Sequence, residues 1–577
     1  MPSAFIDFVG SHAGEPPLRL AFSDCRQVLR ADTLAEVRGV LDAAEGAAAA
    51  GAWCIGFLRY EAAPAFDAAF AVHPAEGPLA WFAVFDTAAP WPEQPHAGTW
   101  EPMDWQDSLE REDFDARIAR IHQAIVDGES YQINLTSRLY SRFAGDPLAL
   151  FHALHRAQPG SYAAFIDTGT EQVLSVSPEL FFDRRGQQVL ARPMKGTAPR
   201  GATPEDDAAQ ARHLRTSEKE RAENLMIVDL LRNDLSRVAQ PFSVRVPALF
   251  ETRAWPTVWQ MTSDVTATLR PGTTLAQLFG AIFPCGSVIG VPKVRATELI
   301  RSLEPGPRGV YCGAIGVLRP GGDATFSVAI RTVEVRNGSA TCGIGSGVTI
   351  DAQADGEWQE WRNKRAFLQR AQAPFDLLET LRLQDGRWPA LDEHLARMAD
   401  AARHFGFPER AAEVRAAAQA LATAHAEGLW RVRLLLTAAG QVEAQAFHME
   451  ESAVPVNVRL AGAALQPGHP DFVRFKTTWR AHYDQFTPTG AEVFDVLLWN
   501  AEGELTEFTR GNVAVCLDGH WLTPPLGAGL LPGIGRAHWL RSGRITETRL
   551  TRGDLQRAEG LAFFNSLRGW LPARLVA

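Results

Sequence analysis

Phe114, Ile118, Ile121 and Ile125 recur at intervals of three and four residues, which predicts an amphipathic helix ending at Gly128. Continuous apolar runs predict buried strands from Trp53 to Phe57 and from Trp81 to Phe85. β-like runs follow from Tyr131 to Tyr140, Tyr162 to Ile166 and Val173 to Val176. Pro90 to Pro102 reads as a Pro-rich loop. Thr216 or Ser217 can cap a long helix running to about Asn233. Further strands are predicted around Val310 to Leu318, Thr325 to Val335 and Ser339 to Ile344, then a helix from about Gly356 to Arg370. Arg370-Ala371-Gln372-Ala373-Pro374 is small, polar and Pro-ended, which suits a linker. After it the pattern restarts as strand, helix and strand, with a second block of strands from Glu492 onward. Two domains are therefore expected, 1–372 and 373–577, with no internal repeat.

Composition narrows the class. The 577 residues are 46% hydrophobic and 21% charged, as in a soluble globular protein of a few large domains. A net charge of -10 gives no reason to expect nucleic acid or an anionic membrane as partner. Met1 to Gly14 has neither a basic stretch nor a long apolar core, so no signal peptide is expected, and the Ala-rich run at Ala43 to Ala50 contains Glu45 and reads as helix rather than membrane span. Cys25, Cys54, Cys285, Cys312, Cys342 and Cys516 lack paired spacing. They read as reduced structural thiols, and the location as cytoplasmic.

Candidate chemistry starts with carboxylates. Glu220 and Glu223 are i, i+3 on one helix; Glu357 and Glu360 are i, i+3 on another, with Lys364 on the same side. Spacing alone favours solvated faces with ion pairs such as Lys219 with Glu223 and Glu360 with Lys364. Converging on one point, the four carboxylates would instead make a hard-oxygen cage suited to Mg²⁺. Glycines cluster at Cys285 to Gly290 and Gly343 to Gly347; neither run matches a nucleotide-binding pattern, and each taken alone reads as a tight turn.

The order of several motifs goes further. Ser177-Pro178-Glu179, Pro193-Met194-Lys195-Gly196-Thr197, the run from Glu220 to Leu235, Phe283-Pro284-Cys285-Gly286-Ser287, Ala329-Ile330-Arg331-Thr332 and Glu360-Trp361-Arg362-Asn363-Lys364 occur in family order. Roughly residues 50 to 370 thereby resemble the chorismate-utilising enzymes, in particular component I of the anthranilate and aminodeoxychorismate synthases. The resemblance implies an α+β fold, a large antiparallel-sheet sandwich with a central cleft. It implies that Lys195, where the anthranilate enzymes have Ala, attacks C2 of chorismate while the C4 hydroxyl leaves, and that ammonia then enters at C4. A lysine attacks only as the free amine, which burial and a nearby cation would favour. Glu179 is the implied general acid; Glu220, Glu223, Glu357 and Glu360 the implied Mg²⁺ ligands. Tyr311, Arg331, Lys364 and the Gly345-Ser346-Gly347 amides match positions that hold substrate carboxylates. Two positions depart from the family pattern: Gln260 stands where His is usual, and Ile289 where Thr is usual. No glutaminase nucleophile motif is present, so ammonia would come from solution or a separate glutaminase subunit.

The second domain carries Leu378-Glu379-Thr380, Asp392-Glu393-His394 with Arg397, Phe475-Lys476-Thr477-Thr478, Thr506-Glu507, Pro532-Gly533-Ile534-Gly535-Arg536 and Asn565-Ser566. From about 374 to 577 this is similar to the fold-type IV pyridoxal phosphate enzymes, with their two-subdomain fold, and within them to aminodeoxychorismate lyases. The resemblance implies that Lys476 carries the cofactor and that Glu507 faces its ring nitrogen. Arg397, the Gly533-Ile534-Gly535 amides near a helix start at about Arg536, and Ser566 would hold its phosphate. The implied whole is a bifunctional enzyme making 4-aminobenzoate, a folate precursor, with a homodimer through the second domain left open. An anthranilate synthase fused to an aminotransferase and a degenerate binding subunit are the alternatives.

Overall fold

The computed structural model of the protein describes residues 1–12, 14–92, 96, 98–101, 103–199, 204–254, 258–371, 375–465, 471–488 and 492–576. Part of the expected linker, 372–374, and positions 93–95, 97 and 102 of the Pro-rich loop lie outside the described residues. The chain divides into two compact units, Met1–Gln372 and Ala373–Ala577. No helix among the described residues is long and apolar enough to cross a membrane.

The first unit contains two 10-stranded sheets among the described residues. One includes Ser3–Phe8, Gln132–Arg142, Tyr162–Asp167 and Ser339–Val348; the other includes Trp53–Leu58, Ala80–Phe85, Leu180–Arg185 and Val258–Thr268. Alternate residues of these strands point into different cores. Ile55, Phe57, Trp81, Ala83 and Phe85 pack with Ile6, Phe8, Ala164 and Ile166 of the facing sheet. Cys54, Leu58, Phe82 and Val84 point the other way, into a larger core shared with helical residues such as Val37, Leu41, Phe279 and Ile282. Strands covered on both faces have no polar alternation to display, which is why they read as continuous apolar runs.

The helix predicted around Phe114 spans Arg111–Val126, burying Phe114, Ile118, Ile121 and Ala124. Of the two capping candidates Ser217 caps the Glu218–Ser236 helix by accepting from Glu220 N–H, whereas Thr216 ends the preceding helix, Pro204–Thr216. Three expectations change. The strand expected from Thr325 to Val335 is two strands, Ala324–Val328 and Thr332–Arg336, broken at Arg331 with φ 49°. Only Ala314–Leu318 of the Val310 to Leu318 stretch is strand, because Cys312 has φ 64°. The last helix is two, Ala354–Lys364 and Ala366–Ala371.

The second unit has a 3-stranded sheet, Leu377–Gln384, Leu429–Leu436 and Val442–His448, and an 8-stranded sheet. The Leu391–Phe405 helix lays Leu395, Met398, Ala402 and Phe405 on the smaller sheet's core with Leu377, Leu381, Val432 and Leu434. It ends at Gly406, φ 67°, a left-handed cap that glycine adopts without steric cost. That register directs His394 and Arg397 toward Glu379.

Candidate active sites

Lys195 lies on the Met194–Pro199 strand, paired with Val258–Thr268. The pairing slips between Met194 and Thr197, so Lys195 and Gly196 form a bulge, which turns side chains out of the ladder. Gly196 sits at φ +85°, and a Cβ there would come within 2.7 Å of Glu220 Oε2. Lys195 Nζ is 4.0 Å from Glu223 Oε2. Its ion-pair partner is thus a carboxylate.

The surface facing this amine is bare backbone. Gly343 to Gly347 belong to the strand Ser339–Val348, not to a tight turn. A Cβ at Gly343 would fall 2.1 Å from the Tyr311 ring, and one at Gly345 would fall 2.4 Å from Leu135 O. A Cβ at Gly347 would stand 2.7 Å from Lys195 Nζ and 2.6 Å from Gln132 Nε2. Glycine at these alternate positions lets a ring, a chain and an amine approach the strand. On the other face Ser346 donates to Glu357 and accepts from Trp361 Nε1 at 2.8 Å. Lys364 Nζ donates to Gly345 O at 2.9 Å and pairs with Glu360 at 2.6 Å. The Ala354–Lys364 helix is held to the strand by these contacts.

Glu179 is buried, and its Oε1 has no hydrogen-bond partner among the described residues. Burial pushes its pKa up to about 7, against a hydrogen bond from Ser287 and the attraction of Lys195. Ser287 belongs to a loop that Lys293 anchors: its Nζ reaches Asp234 Oδ2 at 2.6 Å, Ile282 O at 2.8 Å and Pro284 O at 2.9 Å.

The four glutamates share one electrostatic neighbourhood. Burial raises Glu220 and Glu223, and Glu360 adds like-charge repulsion to both. Burial and then Glu360 raise Glu357. Burial also pushes on Glu360, but Lys364 outweighs it and holds this carboxyl low. No three His, Cys, Asp or Glu side chains among the described residues are gathered closely enough to hold a metal ion. The ion pair between Glu360 and Lys364 is formed, while Glu223 turns to Lys195. Hard oxygen donors that repel one another have the chemistry a divalent cation requires.

Arg331 stands apart. Its guanidinium donates to Gln158, and burial, with Arg370 nearby, lowers its pKa to about 10. Gln132 is a residue that motif spacing did not single out. It is fully buried beside Lys195, and neither atom of its carboxamide has a partner among the described residues. Gln260 lies across the ladder from Thr197, buried, with Oε1 equally unpartnered.

In the second unit a cavity of ≈ 250 Å³ is lined by Arg397, Lys476, Glu507, Gly533, Ile534 and Ser566. Lys476 is on no strand; its carbonyl accepts from Leu378 N–H at 3.1 Å, at the margin of the Leu377–Gln384 strand. Burial, then Arg397, lowers its pKa to about 8. Glu507 accepts from Tyr483 Oη at 2.6 Å and Leu531 N–H at 3.1 Å, and burial pushes it up to about 7. Arg397 grips Glu379 with Nε at 2.8 Å and Nη2 at 2.7 Å, and donates from Nη1 to Pro532 O at 3.2 Å. His394 bridges the same carboxylate at 2.6 Å to Ser566 Oγ at 3.0 Å. Gly533 caps the helix Ile534–Arg541, two residues earlier than expected, and a Cβ there would lie 2.0 Å from Asn512 Oδ1. Gly535 sits behind, where a Cβ would meet Ser566 N at 2.9 Å. Glu379, His394 and Tyr483 complete the site without having been assigned roles from sequence; the i, i+3 spacing of His394 and Arg397 was the signal for one of them. A buried lysine, a carboxyl facing it across the cavity, an arginine and a helix start fit pyridoxal phosphate.

The chain matches the family described as chorismate binding enzyme over residues 12–370, and the class IV amino-transferase family over 376–576. Aminodeoxychorismate synthase component 1 of Klebsiella aerogenes is 43% identical over 260 residues, 45% of this chain and 58% of that protein. Anthranilate synthase component 1 of Methanothermobacter thermautotrophicus is 38% identical over 247 residues, 43% of this chain and 53% of that protein. The chain thus spans under two thirds of these relatives' lengths. The structure of anthranilate synthase component I from Streptococcus pneumoniae aligns with TM-score 0.52 and 25% identity, covering 64% of this chain and 90% of that one. The first unit's sheets, its lysine and glutamates, and the second unit's lysine cavity therefore sit in a chain that belongs to the chorismate-binding enzyme family and carries a class IV amino-transferase domain behind it.

Proposed function

We propose that the protein makes 4-aminobenzoate from chorismate and ammonia, with amination in residues 1–372 and pyruvate elimination in 373–577. The observation that carries this reading is the Lys195 amine, set beside the bare backbone of Gly347 with buried carboxyls around it. In the first step the Lys195 nitrogen bonds to C2 of chorismate, the ring double bonds shift, and the C4–O bond breaks. Glu179, with its pKa near 7, gives the departing hydroxyl its proton, so water leaves. Ammonia then bonds at C4 while the C2–N bond to Lys195 breaks, and Glu179 recovers a proton from the incoming nitrogen. Glu220, Glu223, Glu357 and Glu360, not gathered on one point in this structure, are proposed to close on Mg²⁺, which would supply positive charge for the substrate's ring carboxylate. Tyr311, Arg331, Lys364 and the Gly345-Ser346-Gly347 amides are proposed to hold the substrate's carboxylates.

The second step needs an amine product able to enter the cavity of the second unit. Pyridoxal phosphate supplies an electron sink there when bound. Glu507 would face its ring nitrogen, while Arg397, Ser566 and the Gly533-Ile534-Gly535 amides would hold its phosphate. The Lys476 amine would take the C4 proton, the C3–O bond would break, and the enol of pyruvate, on regaining a proton, would leave as pyruvate from an aromatic ring. Ammonia comes from a separate glutamine amidotransferase subunit, and the setting is folate synthesis in the cytoplasm. Both aminodeoxychorismate and anthranilate synthases are relatives; Lys195 favours the para product.

Purified protein given chorismate, ammonium, Mg²⁺ and pyridoxal phosphate is expected to form 4-aminobenzoate and pyruvate in equal amounts. Without pyridoxal phosphate, chorismate is still consumed and the product stops at the non-aromatic amine. Formation of 2-aminobenzoate, or of no aminobenzoate, overturns the reading.

A further inference from the structure

One buried guanidinium of the first unit bonds to both walls of the proposed amination site. Arg308 follows the helix Lys293–Leu303 and is 2% exposed. Its Nε meets Glu304 Oε2 at 2.9 Å and its Nη2 meets Glu304 Oε1 at 2.6 Å. An ion pair so deeply buried needs its remaining donors and acceptors satisfied. Glu304 Oε1 also accepts from Thr136 N–H at 2.9 Å and Thr136 Oγ1 at 2.8 Å. From behind, Glu61 accepts from the Arg308 N–H at 2.6 Å, and the guanidinium lies 4.8 Å from the Tyr60 ring. The guanidinium's other donors go to two carbonyls: Nη1 to Val288 O at 2.7 Å and Nη2 to Asn134 O at 2.7 Å. Val288 adjoins Ser287, which bonds Glu179 and meets Cys285 Sγ at 3.2 Å. Asn134 lies across the ladder from Gly347, the glycine set against Lys195 Nζ. The charged or ionisable groups that face Glu179 are Lys195, Lys364 and Cys285.

We propose that Arg308 is a positioning residue for the amination: by holding Val288 O and Asn134 O at one spacing, it sets the Ser287 hydroxyl against Glu179. This rests on the reading of Glu179 as general acid given above and adds the group that keeps that acid in register. A planar fork, anchored on one carboxylate, fixes the separation of two carbonyls; a point charge on a flexible stem does not. A hydroxyl donating to a carboxylate favours the ionised form. A loop that slips away from Glu179 therefore leaves its carboxyl protonated to higher pH.

The test titrates Glu179 in the full chain by difference infrared spectroscopy of the carboxyl stretch, its band being the one that Glu179→Gln lacks. Arg308→Lys keeps a charge for Glu304 and loses the fork. In this variant Glu179 is expected to titrate about one pH unit higher than in the unaltered protein, and amination at neutral pH to fall at least about tenfold. Ser287→Ala should reproduce the displacement. Ser287→Ala combined with Arg308→Lys should go no farther than Ser287→Ala alone, because both act through one hydroxyl. If Arg308→Lys does not fold, Glu304→Gln with Arg308→Met removes both charges together, leaves no unpaired ion in the core, and goes through the same titration. A Glu179 band that does not move in the folded Arg308 variant or in Ser287→Ala, or displacements that add in the combined variant, overturns the positioning role. An amination profile without a limb near neutral pH, alongside a displaced Glu179 band, would overturn the general-acid reading and leave the role of Arg308 standing.

Discussion

Glu179 and Glu379 show how burial and its partners set chemistry one residue at a time. A carboxyl in water would be ionised at neutral pH and could not protonate a leaving hydroxyl. Burial lifts Glu179 to about 7, where it retains a proton for part of the time. At a fixed concentration of neutral ammonia, chorismate amination should therefore fall as pH rises through about 7. Glu179→Gln should lower the rate by at least about 100-fold and remove that limb from the pH–rate profile. A profile flat across pH 7 in the unaltered protein would contradict the assignment. Glu379 works in the opposite direction. Burial would raise it, but the Arg397 guanidinium and His394 hold it down to about 2. A depressed carboxyl stabilises the fold above its unfolded pKa, and that stabilisation disappears as pH falls from 4.5 toward 2. It is on the order of 3 kcal/mol. Glu379→Gln should lose most of it at pH 7 and flatten the acid limb of unfolding of the second unit, measured by denaturant melts across pH.

At the scale of elements, the strand Ser339–Val348 and the bulge at Lys195 are organised by missing side chains. The clash at Gly345 is with backbone, Leu135 O at 2.4 Å, whereas the clash at Gly347 is with the ends of two side chains. The two substitutions should separate. Gly345→Ala should destabilise the first unit by about 1–3 kcal/mol, since the ladder itself must shift. Gly347→Ala should leave the melting temperature nearly unchanged yet reduce amination at least about tenfold, by displacing the Lys195 amine and Gln132. Equal effects of both on stability would argue that Gly347 is only a packing residue. These elements also mark where sequence was legible. The Arg111–Val126 helix was readable because its apolar positions face one core. The run from Gly343 to Gly347 was not, because glycine in a strand and glycine in a turn look alike until the neighbouring ring and amine are in place. The break at Arg331 was hidden for the same kind of reason: a positive φ at arginine has no local sequence signal.

Over the whole chain, two unrelated domain families follow one another in sequence, a chorismate-binding domain and then a class IV amino-transferase domain. Motif order carried most of that picture: Lys195, Glu179 and the glutamates come together in the first unit, and Lys476, Arg397, Glu507 and Ser566 line one cavity in the second. What motif order could not carry is long-range pairing. Gln132 meets Lys195 across 63 positions only because the strand Gln132–Arg142 runs beside Gly347. Tyr483 meets Glu507 through a short helix with no periodic signal. In the proposed reaction Lys195 commits the ring to para amination, and thereby to the elimination proposed for the second unit. The most direct measurement is 4-aminobenzoate formation by Lys195→Ala from chorismate, ammonium, Mg²⁺ and pyridoxal phosphate, with the cofactor band confirming an intact second unit. The rate should fall by at least about 1000-fold, as loss of a covalent nucleophile requires; undiminished 4-aminobenzoate formation would contradict the account.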